Sequence, residues 1–414
     1  MSYQIENLKV VNEAKAGVPI HTGVGYFDHM LDQCNSHAQV GVGLEVLFRD
    51  KADMTDRNRL ASTNQVDLCK AVGEELGKAL KAQLSYGNDA SRFCCPLDEA
   101  LVECVISNGD GNLLDYTLPP YGIYPKGKGR SKIGSLETGA IASFWNALAS
   151  ASKLDIRFHK IRGDNGHHIV ESSFKAFSRA LRNFLDVPAI WAPGSNNDKA
   201  SVALQREGKI ERSTKETSIS VHLLLNGKSD HTKVETGIPV LDEFYTVLAK
   251  EANMTLQVKC KGDLWVDDHH TAEDVSIAIG QCLTQALGTK AGLNRMWVSE
   301  AQDAVAKVEV TMDLSNRPCF RHNLHDSLGL QEYVDKEDAS SNSPLSCEMM
   351  EHVLDSLIMN GRMTVHVVEK QPGATLQDTV MCTARAFGKA LRVCAMIDQR
   401  RAGQTASSKG TLSV

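Results

Sequence analysis

The stretch His269-His270-Thr271-Ala272-Glu273 decides how this chain is interpreted. It opens a longer segment, HHTAEDVSIAIGQCLTQALG, whose apolar residues recur at helical spacing. On such a helix Glu273 shares a face with one of the histidines, whereas two adjacent histidines diverge by about 100°. Because diverging imidazoles can serve two different ions, the pattern predicts a helix that contributes to a dinuclear metal site.

The same signature occurs a second time, as His167-His168-Ile169-Val170-Glu171 at the start of HHIVESSFKAFSRALRNFL. A single histidine on an apolar helix face is usually structural. Two HHxxE blocks, each opening an amphipathic helix, favour metal ligation instead. They also indicate one ancestral unit that is used repeatedly.

Composition sets broad bounds. The chain has 414 residues, with 42% hydrophobic and 23% charged residues, as in an ordinary globular protein long enough for two domains. A net charge of −6 without a basic stripe argues against a nucleic-acid partner. There is no apolar run of about 18 residues and no signal peptide, so we expect no membrane association.

The cysteines bear on the compartment. All eleven are scattered, without a CxxC pair, which favours reduced thiols. We therefore expect a cytoplasmic protein, or one in an organelle stroma or matrix if a presequence has been removed.

The chain is a tandem duplication. Residues 22–29 align with residues 236–243, and residues 177–182 align with residues 387–392. These matches predict a first copy over residues 1–200 and a second over residues 201–414. The segment 187–198 is rich in turn-forming residues and is interpreted as the connection.

Each copy contains two repeats of roughly 90 to 100 residues, judged from the spacing of the helical segments. Alternation of apolar and polar residues predicts strands at 218–225 and 254–260. Strands and helices mixed in this way predict an α+β fold in which a sheet packs on helices.

Several further segments carry a resemblance to one known family. In the second copy they are RSTKET at 212–217, DDHHTAED at 267–274, DLSNRP at 313–318, MTVH at 363–366 and SSKG at 407–410. In the first copy they are FDHMLDQ at 27–33, PLDEAL at 96–101 and NGHHIVE at 165–171. Both copies resemble imidazoleglycerol-phosphate dehydratase, a histidine-biosynthesis enzyme whose subunit is usually one copy long.

The resemblance implies that each subunit carries both HHxxE blocks, a histidine in an FxDHM motif and a histidine in a TLH motif. Here that set is divided between the copies. The first copy retains His29, His167, His168 and Glu171, and the second retains His269, His270, Glu273 and His366. The positions that lack these ligands are Ser62-Thr63-Asn64-Gln65-Val66, Lys153-Leu154-Asp155-Ile156, Glu243 and Gln377-Asp378-Thr379-Val380-Met381. Each ligand position therefore survives once.

By resemblance, one ion would take His29, His167, His270 and Glu273. The other would take His168, Glu171, His269 and His366. Imidazole and carboxylate ligands suit Mn²⁺, with Zn²⁺ or Fe²⁺ as substitutes.

The resemblance also implies roles around a small phosphorylated imidazole substrate. Glu216 is the candidate base for proton transfer, and Asp98 and Glu99 are weaker candidates. The candidate substrate-binding residues are Gln33, His37, Arg92, Lys175, Arg295, Arg317, Ser408 and Lys409. Among these, Arg92, Lys175, Arg317, Ser408 and Lys409 are the candidates to hold the phosphate dianion.

The resemblance places the family's active sites between subunits. If the two copies occupy neighbouring subunit positions, one kind of interface inherits every ligand and one complete site remains per chain. The expected activity is metal-dependent dehydration of imidazole glycerol phosphate. The expected assembly is a large closed shell in which each fused chain replaces two subunits.

Two other functions stay open. The chain is alternatively a pseudoenzyme that serves as a scaffold, as the decay of the first copy and its insertion around residues 50–59 suggest. Complementary retention of the ligands argues against this, because relaxed selection would erase both copies of some ligand. The third alternative is a metal-dependent enzyme with a changed imidazole or azole substrate.

Overall fold

The computed structural model describes residues 3–13, 17–48, 64–187, 190–204, 206–227, 229–335, 343–401, 403–407 and 411–412. It divides into two compact units, residues 1–190 with 407–411, and residues 191–406 with 412–414. The boundary expected between residues 200 and 201 stays a prediction, since a short helix at Asn196–Val202 spans it.

The first unit begins with a three-stranded sheet and two helices. Its elements are β1 (Tyr3–Val11), β2 (Ile20–His21), α1 (Gly25–Gln33), β3 (Gly41–Phe48) and α2 (Gln65–Gln83). β3 lies in the centre, antiparallel to β1 and parallel to β2. A π-helical turn at Cys34–Ala38 continues α1.

The second half of this unit is a four-stranded sheet with two helices. Its elements are β4 (Ala90–Leu97), β5 (Ala100–Asn108), β6 (Leu113–Tyr116), β7 (Lys132–Ile133), β8 (Leu136–Glu137), α3 (Gly139–Ser152), β9 (Leu154–Arg162) and α4 (Gly166–Leu185). The strand order is β4-β5-β9-β6, with β6 parallel to β9. β7 and β8 form a separate small hairpin.

The second unit repeats this plan twice. After α5 (Asn196–Val202), its first half contains β10 (Arg206–Ser213), β11 (Thr217–Leu225), β12 (Lys233–Glu235), α6 (Pro239–Glu251), β13 (Met254–Gly262) and α7 (His269–Leu287). Its second half contains β14 (Met296–Asp303), β15 (Ala306–Asp313), β16 (Cys319–Arg321), α8 (His325–Leu328), α9 (Cys347–Asn360), β17 (Thr364–Gln371) and α10 (Leu376–Cys394).

The strand orders establish the internal repeat. β10-β11-β13-β12 and β14-β15-β17-β16 have the same order as β4-β5-β9-β6. The sheet β1-β3-β2 has this order without a counterpart of β10 in the described part of the chain. The predicted α+β fold of two repeats per copy is confirmed, and the predicted strands correspond to β11 and β13.

Alternation along the strands explains how each sheet covers its helices. In β11, Ile219, Val221, Leu223 and Leu225 are buried, while the residues between them are partly or fully exposed. A strand places alternate side chains on opposite faces, so one face of the sheet is apolar. The helices α6, α7, α9 and α10 pack into the same core of the second unit, together with strands such as β13, β15 and β17.

Glycines let the helices of each unit approach closely. A Cβ placed on Gly73 of α2 would lie 2.4 Å from the carbonyl oxygen of Phe144 on α3. A Cβ on Gly280 of α7 would lie 2.7 Å from that of Leu357 on α9. Since both crossings use a glycine at the equivalent place, the helix spacing is a shared property of the two copies.

No helix in the part of the chain that the structure describes is long and apolar enough to span a membrane.

We expect Gly73→Ala to lower stability, although alanine is the better helix former by about 1 kcal/mol. The added carbon overlaps a backbone oxygen that cannot move without shifting α3, so the net loss should be about 1–3 kcal/mol. Urea unfolding measures it. Gly139→Ala is the control, because a Cβ there meets nothing within 4 Å. A Gly73→Ala variant as stable as wild type would contradict the tight crossing.

Candidate metal centre

The first unit brings three of the predicted ligands together. His29 lies on α1, while His167 and Glu171 lie near the start of α4, and one ligand atom from each falls within 4.8 Å of the others. His167 Nε2 is 3.0 Å and His29 Nε2 is 3.9 Å from the Glu171 carboxylate. We call His29, His167 and Glu171 the first triad.

Glu171 is held as an anion. Burial alone would raise its pKa, but hydrogen bonds from His167 and His29 and the charge of Lys175 bring the pKa well below its usual range. Lys175 Nζ lies 2.8 Å from a Glu171 oxygen, and both side chains are buried. The predicted phosphate ligand Lys175 is therefore placed against the carboxylate of the triad.

His168 lies apart from the first triad. Its Nδ1 is 2.7 Å from Glu99 and its Nε2 is 3.6 Å from Asp98, in the tight turn between β4 and β5. The hydrogen bond to Glu99 raises the pKa of His168. Burial would raise the pKa of Glu99, but hydrogen bonds from His168 and from the Asn165 amide lower it to about 2. A carboxylate on Nδ1 orients the ring so that Nε2 is the nitrogen available to a metal.

The second unit holds a matching group. His269 and Glu273 lie on α7 and His352 lies on α9, again with one ligand atom from each within 4.8 Å. Glu273 is 3.1 Å from His352 Nε2 and 3.7 Å from His269 Nε2. We call these residues the second triad.

His270 repeats the arrangement of His168. Its Nδ1 lies 3.1 Å from Asp263, and its Nε2 lies 3.8 Å from Glu216 in the turn between β10 and β11. The hydrogen bond to Asp263 raises the pKa of His270. Each unit thus offers a triad and one histidine that a carboxylate orients.

The sequence motifs predict His366 as a ligand and do not indicate His352. His366 is fully buried on β17, opposite Thr311 of β15, and it belongs to none of the ligand groups among the described residues. The internal repeat contains a signal for His352. α9 lies between β16 and β17 as α1 lies between β2 and β3, so His352 takes the place of His29 in its own repeat.

Arg92 of the first copy and Arg295 of the second, both predicted to bind substrate, each have an acidic partner. Arg92 of β4 pairs with Glu103 of β5. Arg295 is buried and forms two hydrogen bonds with Asp313, at 2.7 and 2.8 Å. Both side chains are therefore engaged in ion pairs with residues of neighbouring strands, and Arg295 also donates to the carbonyl of Ala406.

The other predicted substrate-binding residues are distributed as follows. Gln33 is buried and donates to the carbonyl of His29 at 2.9 Å. His37 is buried in the π-helical turn after α1. The carbonyl of Arg317 accepts from the Thr364 hydroxyl at 2.8 Å, which fixes the loop before β16. Ser408 and Lys409 lie outside the described residues.

Two glutamines in the blocks that lack metal ligands make other polar contacts. In the second unit, Gln377 of α10 donates to Glu243 of α6 at 2.9 Å. In the first, Gln65 of α2 donates to the Ser135 carbonyl at 2.7 Å and accepts from the Glu137 amide at 2.8 Å. Ser62 and Thr63 lie outside the described residues. These contacts stabilise the fold within the two blocks, with Gln377 at a ligand position of the HHxxE pattern and Gln65 at a spacer position.

Comparison with known proteins agrees with this duplicated plan. A sequence model described as imidazoleglycerol-phosphate dehydratase matches residues 22–181 and again residues 236–391. The chloroplastic imidazoleglycerol-phosphate dehydratase of Pisum sativum is 37% identical over 223 residues, 53% of this chain and 75% of its own length. That of Neisseria meningitidis is 34% identical over 216 residues, 52% of this chain and 67% of its own. The chain therefore belongs to the imidazoleglycerol-phosphate dehydratase family of hydro-lyases, as a tandem pair of copies.

Proposed function

We propose that the chain dehydrates imidazole glycerol phosphate to imidazole acetol phosphate in histidine biosynthesis, at a dinuclear site that takes half of its ligands from each copy. Family membership supports the reaction. The observation that carries the composite site is that each unit holds one triad. The positions that match these ligands in the other copy, including Glu243 and Gln377 in the second and Ser62 and Val66 in the first, lack the ligand residues of the motifs.

The distances favour a ligand allocation that differs from the one implied by the motifs. One ion takes the first triad, His29, His167 and Glu171, and the other takes the second triad. His270 completes the ion of the first triad, and His168 completes the ion of the second triad. The carboxylate on Nδ1 of each ring leaves its Nε2 available to the ion. Two ions with three nitrogen ligands and one oxygen ligand each suit Mn²⁺, with Zn²⁺ or Fe²⁺ as substitutes.

The carboxylates near His168 and His270 have separable roles. Glu99 and Asp263 bind Nδ1 and position the rings. Glu216 and Asp98 face Nε2, at 3.8 and 3.6 Å, beside the nitrogen that binds an ion. When bound, the ions would act as Lewis acids that acidify the imidazole ring of the substrate. Glu216, half exposed on its turn, is then placed to take a proton from the carbon beside that ring.

The proposal extends to the residues that bind the phosphate and to the compartment. Arg317, Ser408, Lys409, Lys175 and Arg92 remain the candidates for the phosphate. The relatives in Pisum sativum and Arabidopsis thaliana are named chloroplastic, which fits the organelle alternative for the compartment.

The composite site predicts that Glu171→Gln and Glu273→Gln each lower dehydration of imidazole glycerol phosphate by at least about 100-fold. Each variant loses the anionic ligand of one ion, so elemental analysis after purification in Mn²⁺ should fall from about two ions per chain to about one. Gln377→Ala is the matched control on α10 and should keep activity and metal content.

Three results would count against this function. Full activity in both glutamate variants would show that the triads are not the site. A wild-type chain that binds neither metal nor substrate would instead favour the scaffold alternative. Turnover of another imidazole or azole, with no turnover of imidazole glycerol phosphate, would favour a changed substrate.

His352 and His366 can be distinguished directly. His352→Gln removes a ligand of the second triad and should weaken Mn²⁺ binding by at least about 10-fold. His366→Gln should leave the metal content unchanged, whatever it costs in stability, because His366 belongs to no described ligand group. Isothermal titration with Mn²⁺ compares them, and the reverse outcome would restore the allocation implied by the motifs.

We also propose self-association into a large closed shell, in which half-sets from neighbouring copies meet. Ions held by both copies bind only the assembled form, so removing metal should loosen it by mass action. Light scattering in Mn²⁺ should give a mass many times that of one chain, and a smaller mass in EDTA. A monomer in Mn²⁺ would exclude the shell.

A further inference from the structure

A third group of ligand-type side chains lies in the second unit, apart from the second triad. His322, His325 and Glu351 each offer one ligand atom within 4.8 Å of the others. His325 Nδ1 is 2.8 Å from one Glu351 oxygen, and His322 Nε2 is 3.8 Å from the other. The two imidazole rings lie 4.4 Å apart. None of these residues is among the ligands implied by the family motifs.

The fold holds the three side chains in place from two directions. β16 ends at Arg321, and α8 begins at His325. Leu324 and Leu328 line the same apolar cleft as Met350 and Leu354 of α9, which keeps this segment against that helix. The ring of His322 stacks on Phe320, with centroids 4.7 Å apart and planes 18° apart. The ligand group is therefore formed by packing that does not depend on an ion.

The chemistry of the group selects a class of ion. Two imidazoles and one carboxylate, without a thiolate, suit Zn²⁺ and related transition-metal ions better than Mg²⁺ or Ca²⁺, which prefer oxygen ligands. The His325 side chain is 67% exposed, so water can reach the open side of the group. Three protein ligands and an accessible fourth position are the arrangement of an open Zn²⁺ site.

We propose that His322, His325 and Glu351 bind one Zn²⁺ ion. His322 Nδ1 accepts a long hydrogen bond of 3.3 Å from the Leu324 amide, so binding through Nε2 moves the ring proton to Nδ1 and gives up that bond. The ion links residues 322–325, which lead into α8, to α9. Since α9 also carries His352, one helix then supplies ligands to two different metal sites.

The test compares the full-length chain with His325→Ala and Glu351→Gln, each equilibrated with Zn²⁺, passed through a desalting column and analysed for metal per chain. Both variants should hold one ion fewer than wild type. Replacing bound Zn²⁺ with Co²⁺ gives a second measure, because the visible absorption of one Co²⁺ site should be missing in both. His231→Ala, an exposed histidine of the same unit outside every ligand group in the described residues, is the matched control.

The comparison does not depend on how many ions the two triads hold, because only the difference between variants is measured. His325 is exposed, so its replacement should leave the fold intact, and circular dichroism checks this. Equal Zn²⁺ content in wild type, His325→Ala and Glu351→Gln would overturn the proposal and leave the group as an ion-pair cluster only.

Discussion

The candidate metal centre depends on the divergence of two adjacent histidines in the first turn of a helix. Neighbouring helical side chains point about 100° apart, so a pair such as His167 and His168 cannot bind one ion together. Contacts with different carboxylates stabilise the orientation of each imidazole ring. His167 contacts the glutamate of its own helix, whereas His168 is held by Glu99, a carboxylate from the turn between two strands. The position of α4 against β4 and β5 therefore matters as much as the motif.

The same constraint explains why the two units look alike at their ligands. In the second unit Asp263, at the end of β13, holds His270 while Glu273 contacts His269. In the first unit Glu99, in the turn between β4 and β5, holds the second histidine of the pair. In the second unit Asp263, directly after β13, does the same. What is common is a carboxylate on each imidazole, which fixes ring orientation and keeps negative charge near the expected ions.

In both copies, the block that lacks metal ligands is held by other polar contacts. A helix start without metal ligands still has polar groups that need hydrogen-bond partners. Gln377, at the place of the first histidine of its block, bonds to Glu243, whereas Gln65, at a spacer position of its block, bonds to the backbone of the β7–β8 hairpin. These contacts stabilise the folded unit without a metal ion, so retention of the fold in each copy does not require retention of a complete site. The division of ligands between copies is compatible with two intact cores.

The sequence by itself determined the helices that begin with the HHxxE blocks, strands β11 and β13, the α+β class and the duplication. These features follow from periodicity and from motifs that are local in the chain. Only the tertiary structure decided that His352 rather than His366 joins His269 and Glu273, and that Glu171 groups with His29. Those relationships join residues on different helices, and they depend on how α1 packs near α4 and α9 near α7. The spacing within a single motif carries no record of such distances, because helix packing is set by side chains and glycines that lie far apart in sequence. For His352 the only signal is its place in the internal repeat, which becomes visible once the order of helices and strands is known.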